Sequence, residues 1–203
     1  MKHKDTDGSP EPNARERLLE TAISMFADKG YAGTSVREIV EEAGVSKPVL
    51  YYYFQSKEGL FLAILEMAEN LQTELLARVL ESDGNLLERL LLLYRRIYAG
   101  IDQNRNLYKM IYGLIYGPPQ GAPDYDLTRF HRHMFDAVRH IYNAGIDSGE
   151  VKKIEADEAS YLVLSLLDFC LHMDQVQPQF SDPQRPERLL RLAFKGIKQG
   201  TEN

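Results

Sequence analysis

The chain has 203 residues, 44% of them hydrophobic, which is enough to bury a core in one large or two small domains and excludes disorder as its global state. Its 24 Lys plus Arg stand against 30 Asp plus Glu, a net charge of −6, so any affinity for nucleic acid has to come from the local field at one face. The most apolar run, 161–171, is interrupted by Ser165 and Asp168, and the polar start at 1–10 has no apolar stretch behind it; neither a membrane span nor a secretory signal is expected.

Residues 1–13 read as a short disordered arm. From Ala14 to Lys29, Leu18, Leu19, Ala22, Ile23 and Phe26 recur at helical spacing, which predicts a helix with one apolar face, and Gly30 supplies a left-handed stop. Ser35 and Glu38 form the pattern of a capping box, opening a second helix that buries Val36, Ile39, Val40 and Ala43. Gly44 ends that helix, Val45 fills the corner, and Ser46-Lys47-Pro48 starts a third helix, which tolerates proline in its first turn and runs to about Phe54. Helix, tight glycine turn and short helix make a helix-turn-helix, whose second member enters the major groove of DNA. Leu50 and Phe54 share the face that packs back, which leaves Lys47, Pro48, Val49, Tyr51 and Tyr52 outward; Tyr53 fits either side. The segment 14–66 holds six basic and eight acidic residues, so the placement of the charges matters more than their sum.

Ser56 can cap a fourth helix, along which Leu60, Ile64, Met67, Leu71 and Leu75 keep a helical period as far as Asp83-Gly84-Asn85. Further helices are expected near 86–103, 104–116, 125–148, 157–176 and 185–198. The break at 117–123 contains glycine, but its three prolines lack N–H donors and no phosphate-loop lysine follows, so it reads as a connector. Tyr94 and Tyr98 form one aromatic stripe and Tyr108, Tyr112 and Tyr116 another, with Phe130, Met134 and, further along, Phe169 as apolar companions. Such residues build a hydrophobic core, but the hydroxyls also suit a cavity for a small amphipathic or aromatic ligand. His131, His133, His140 and His172 complete no metal-ligand pattern, and no catalytic or cofactor-binding motif is present, so neither enzyme chemistry nor a cofactor is expected. Cys170, alone in an apolar helical pattern, reads as a buried and inert thiol suited to a reducing cytoplasm. Helix 157–176 is apolar nearly all round, which predicts burial on two sides.

The run from Thr34 to Leu60, with Ala22, Phe26, Gly30 and Tyr31 before it, closely resembles the DNA-binding signature of the TetR family of transcriptional regulators. The remaining two thirds resemble that family in helical layout only. The resemblance implies an all-α chain: a three-helix DNA-binding domain at 14–60, then a helical ligand-binding and dimerisation domain at 61–203. It implies a cytoplasmic homodimer on a pseudo-palindromic DNA operator, acting as a repressor released by a small molecule. Thr34, Ser35, Arg37, Ser46, Lys47, Pro48, Val49, Tyr51, Tyr52 and Lys57 are the expected DNA contacts. Lys47 suits a phosphate or a guanine edge, Pro48 and Val49 a thymine methyl, and the tyrosine hydroxyls a phosphate oxygen. Lys57, with the N–H groups opening the fourth helix, suits a phosphate clamp. Pro48 departs from the small residue frequent at that position, which bears on the operator sequence. The aromatic set named above is the expected ligand lining, and Leu162, Leu166, Phe169, Met173, Leu190 and Phe194 are the expected dimer interface, paired with their copies as a four-helix bundle. The competing reading is a helical small-molecule-binding or protein-interaction scaffold without DNA binding.

Overall fold

The computed structural model describes residues 13–151 and 155–198; apart from Asn13, the expected N-terminal arm lies outside them. Nine α-helices and one 3-10 turn, Pro178–Phe180, make up the regular structure of the described residues, with no strand among them. No helix among them is long and apolar enough to cross a membrane.

Local chemistry sets most helix starts. Asn13 opens α1 (Ala14–Lys29): its side chain accepts from the Arg15 and Glu16 amides, and the Glu16 carboxylate accepts from the Asn13 amide. Gly30, at φ 71, ends this helix in the left-handed region that a side chain would disfavour. Ser35 and Glu38 form the expected box at the start of α2 (Val36–Glu42). In α3 (Lys47–Phe54) proline occupies the first turn, as expected, but Ser46 makes no side-chain cap. Ser56 Oγ accepts from the Gly59 amide at the start of α4 (Lys57–Leu80). A third capping box, Asn85 with Glu88, opens α5 (Leu86–Gln103), which α6 (Arg105–Tyr116) follows after a single residue. Asp126 accepts from the Thr128 amide where α7 (Thr128–Asp147) begins, three residues later than periodicity places it. The last two helices are α8 (Ala156–Val176) and α9 (Arg185–Lys198).

Contacts divide the chain into two units, and the division is not a single cut near residue 60. The first unit comprises the chain up to Ala68 together with Arg105–Tyr125, so α6 and the connector behind it belong with the helix-turn-helix. Its core holds Leu18, Ala22, Ile39, Leu50, Leu60 and Ile64, all but inaccessible, and an aromatic trio of Phe26, Tyr31 and Phe61 with ring centroids 4.9–5.7 Å apart. Lys109 on α6 pairs with Asp28 on α1 at 2.7 Å. The connector is bonded to the turn between α1 and α2 through Gln120. Its carbonyl accepts from the Ala32 amide at 3.3 Å, its Oε1 accepts from the Tyr31 amide at 3.4 Å, and its Nε2 donates to the Gly113 carbonyl at 3.1 Å.

The second unit comprises residues 69–104 and 126 onward. Its core packs Leu90, Leu93 and Tyr94 of α5 against Val138, Ile141 and Tyr142 of α7, Val163 and Leu167 of α8, and Leu190 and Phe194 of α9. Gly145 permits the close approach of α7 to α5, since a side chain there would collide with Leu86. Leu71, expected on the buried stripe of α4, is exposed, whereas Cys170 is buried as expected, and burial raises its thiol pKa.

Candidate nucleic-acid interface

The face of α3 follows from which of its residues the core claims. Leu50 and Phe54 are buried, which turns Tyr51, Tyr52 and Tyr53 to solvent, Tyr52 most of all at 81% exposed. Tyr53, which fitted either side by sequence, therefore joins the outer face, its ring edge-on to Tyr52 at 5.1 Å. Lys47 and Pro48 are exposed and Val49 is half-buried at its edge. Lys47 pairs with no carboxylate among the described residues, so its charge remains available to an incoming phosphate or base edge.

Flanking groups are more constrained. Arg37 is exposed, but its Nε donates to Glu41 at 2.7 Å, and that bond raises the guanidinium pKa. The exposed Ser35 spends its hydroxyl on the helix cap, whereas Ser46, also exposed, does not. Lys29 bonds Glu38 at 2.9 Å, and this contact, with the Ser35 hydroxyl and amide, holds the Glu38 carboxyl at a pKa of about 2.

Two expected DNA contacts are placed otherwise. Thr34 is buried, and its hydroxyl donates to the Gly30 carbonyl at 2.9 Å and the Met25 carbonyl at 3.3 Å. Lys57 turns inward as well: its ammonium donates to the Tyr31 and Thr34 carbonyls, each at 2.9 Å, and sits 4.0 Å from the centre of the Tyr31 ring. These carbonyls follow α1 and have no partner in a helix, so a cation there satisfies them better than a phosphate contact would.

The residues expected to line a ligand site divide between the units: Tyr108, Tyr112 and Tyr116 in the first, Tyr94, Tyr98, Phe130, Met134 and Phe169 in the second. The α6 tyrosines follow one another along the helix with centroids 6.0 and 4.8 Å apart and their rings tilted by 45° and 42°. In the second unit, Tyr94 is a core residue whose hydroxyl donates to the Val163 carbonyl, and burial raises its pKa. Tyr98 is partly buried and donates to Asp174 at 3.0 Å, Phe130 is buried, and Met134 packs partly buried against the core. Phe169 is 63% exposed, so it lines nothing inside this unit.

Leu162 and Phe169 are exposed on α8, with Leu166 and Met173 half-buried beside them. Leu190 and Phe194, expected at the same interface, instead face their own core; among the described side chains of α9, Leu192 is apolar and exposed. Val176 and Tyr161 on α8 were also missed, although 162, 166, 169, 173 and 176 step by three and four and mark one helical stripe. A further missed group lies where α4 meets α7. The carboxylate of Glu69, a buried residue of α4, is 2.8 Å from Arg129 and 3.9 Å from His133.

Residues 18–64 match the model of the bacterial regulatory proteins of the tetR family. The HTH-type transcriptional regulator YdgC of Bacillus subtilis is 26% identical over 160 residues, covering 76% of this chain and 81% of that relative. Of several other curated relatives the chain spans less than half the length. Among solved structures, the TetR family transcriptional regulator PfmR from Thermus thermophilus superimposes with a TM-score of 0.67 at 24% identity, covering 93% of this chain and 97% of that one. The transcriptional regulator FadR from Bacillus subtilis, in complex with stearoyl-CoA, does so with a TM-score of 0.68 at 18% identity, covering 92% and 98%. These matches favour a DNA-binding regulator over a scaffold without DNA binding. The matched region, residues 18–64, contains α2, α3 and the outward face between them, so this part of the chain is similar to the helix-turn-helix domain of the tetR family, and the described chain shares the fold of solved regulators of that family.

Proposed function

We propose that the chain is a homodimeric repressor that reads a pseudo-palindromic operator with α3 and leaves it when a small molecule binds. The observation that carries the reading is the outward cluster of Lys47, Tyr51 and Tyr52 over the buried pair Leu50 and Phe54. Lys47, Pro48 and Val49 contact base edges, Tyr51 and Tyr52 donate to phosphate oxygens, and Ser35, Arg37 and Ser46 flank them. Arg37 reaches DNA by exchanging Glu41 for a phosphate.

Two such heads have to meet successive major grooves, about 34–36 Å apart. The apolar stripe Leu162, Leu166, Phe169, Met173 on α8, with Leu192 on α9, is where two copies join, because an exposed stripe of this kind is covered in a stable protein. An effector that favours the DNA-incompetent arrangement weakens operator binding, and DNA weakens effector binding by the same factor. The complex of FadR with stearoyl-CoA supports an effector-responsive fold. α4, continuous from Lys57 to Leu80, is the covalent path for such a response.

Selection of bound fragments from genomic DNA, followed by a mobility-shift titration, tests the reading. Wild type should retain one recurring sequence with two half-sites, and Lys47→Ala or Tyr52→Ala should bind it measurably more weakly. Retention of no fragment, or unchanged binding by both variants, counts against the proposal.

A further inference from the structure

Within the second unit, the seam between α4 and α7 contains a polar group that neither the apolar core nor the DNA-binding face uses. Glu69 is 9% exposed, and its carboxylate is paired with Arg129 at 2.8 Å with His133 Nε2 at 3.9 Å. One turn along α4, Gln72 donates from Nε2 to the Phe130 carbonyl at 3.1 Å. Its other amide atom, Oε1, is buried without a hydrogen-bond partner, and so is His133 Nδ1. Among the described residues only Arg89 Nε shares that condition, so the seam concentrates it.

Buried polar atoms in native proteins nearly always have partners, and an exception points to a group that the protein meets at another moment. With its Nε2 proton turned to Glu69, His133 presents Nδ1 as an acceptor. The seam then offers three acceptors from two helices: the Glu69 carboxylate, Gln72 Oε1 and His133 Nδ1. The cation beside Glu69 is Arg129, whose side chain is 46% exposed and which can swing to solvent, while the His133 and Gln72 N–H groups are turned to Glu69 and to the Phe130 carbonyl. A carboxylate or phosphate entering here would face Glu69 and find acceptors. An alcohol brings one proton. A protonated amine brings several N–H donors and a positive charge, and by replacing the guanidinium it keeps the buried carboxylate paired.

We propose that Glu69, Gln72 and His133 are the polar anchor of the effector site, and that the effector carries a basic, protonated nitrogen. The inference rests on the reading of the chain as an effector-controlled regulator and assigns the chemistry of that effector.

Calorimetric titration of the full chain with 2-phenylethylamine, 2-phenylethanol and 3-phenylpropionate compares one aryl body with a cationic, a neutral and an anionic head. The amine is expected to bind about tenfold or more tightly than the other two, a difference in the range of one charge-assisted contact. Glu69→Gln should erase that preference. Gln72→Leu, which removes no charge and preserves the fold if Glu69→Gln does not, should reduce it several-fold. Arg129→Met should strengthen amine binding, because the competing guanidinium is gone. Equal affinity for the three probes, preference for the carboxylate, no binding of the amine, or a preference that survives both variants overturns the anchor. Release of selected DNA only by compounds without a basic nitrogen overturns the anchor and leaves the regulator reading intact. Amine binding by a chain that retains no DNA fragment does the reverse.

Discussion

The Lys57 ammonium lies 2.9 Å from the carbonyl oxygen of Thr34, inside the turn from which α2 departs. A lysine at the start of a helix that follows the helix-turn-helix is placed by sequence to clamp phosphate; here it fastens the turn instead. Lys57→Met is therefore expected to lower stability by about 2 kcal/mol, the scale of lost charge-assisted bonds to carbonyls, read as a fall in the urea midpoint. Lys47→Ala should leave stability within about 0.5 kcal/mol and reduce the magnitude of the salt slope of log DNA affinity by about 0.9. A Lys57 variant whose salt slope drops as that of Lys47 does would return Lys57 to the phosphate.

Neighbouring positions on α3 should separate folding from reading. Leu50 is fully buried, so Leu50→Ala is expected to cost about 2–5 kcal/mol of stability. Tyr52 is 81% exposed, so Tyr52→Ala should barely move the denaturation midpoint while weakening operator binding by about 1 kcal/mol, the scale of a lost phosphate hydrogen bond. Parallel denaturation and mobility-shift series on the two variants check this, and matching stability losses would contradict it.

The apolar stripe of α8 gives a similar contrast. Phe169→Glu places charge on an exposed surface, and analytical sedimentation should show folded monomers in place of dimers. Leu190→Glu places charge in the core of one protomer, and it should abolish the cooperative unfolding transition instead. A dimeric Phe169→Glu protein would remove the stripe from the interface.

Acid should act early at the start of α2. The Glu38 carboxyl has its pKa lowered from 4.5 to about 2, first by Lys29 and then by the Ser35 hydroxyl and amide. A group depressed in the folded state stabilises fully above its unfolded pKa, and the contribution fades as pH falls from there toward the folded value. As pH falls from 4.5 to about 2, the protection of the Ser35 and Glu38 amides, taken as exchange relative to the unstructured-chain rate at the same pH, is thus expected to fall in wild type. In Glu38→Gln the protection should be lower already at neutral pH and flat over that window. An unchanged wild-type profile would deny the cap a role.

Helix boundaries were legible because they are local: a capping box needs residues three apart, and Ser35 with Glu38 states it in the sequence itself. The outer face of α3 was legible for the same reason, since four-residue spacing alone sets Leu50 and Phe54 against the rest. Lys57 was not, because the carbonyls it bonds belong to residues more than twenty positions earlier. Nor were the roles of Leu190 and Phe194: an amphipathic helix has the same pattern whether its apolar face meets its own chain or a copy. Exposed Leu192, two residues from each, shows which face remained outside. Glu69 was invisible for a different reason. One carboxylate among the four of α4 looks as solvated as the others until a second helix places Arg129 and His133 against it.

Gln120 has a bearing on protein engineering. Regulators with new responses are made by joining the DNA-reading part of one chain to the sensing part of another, and residue 60, where the reading helices end, invites the cut. Such a hybrid would discard Lys109 and Gln120, and with them the bonds to Asp28, Tyr31 and Ala32. The foreign replacement would arrive with side chains selected against a different turn. A graft that takes Arg105–Tyr125 along with the amino-terminal helices, at the cost of two extra junctions, keeps the donor's own fit.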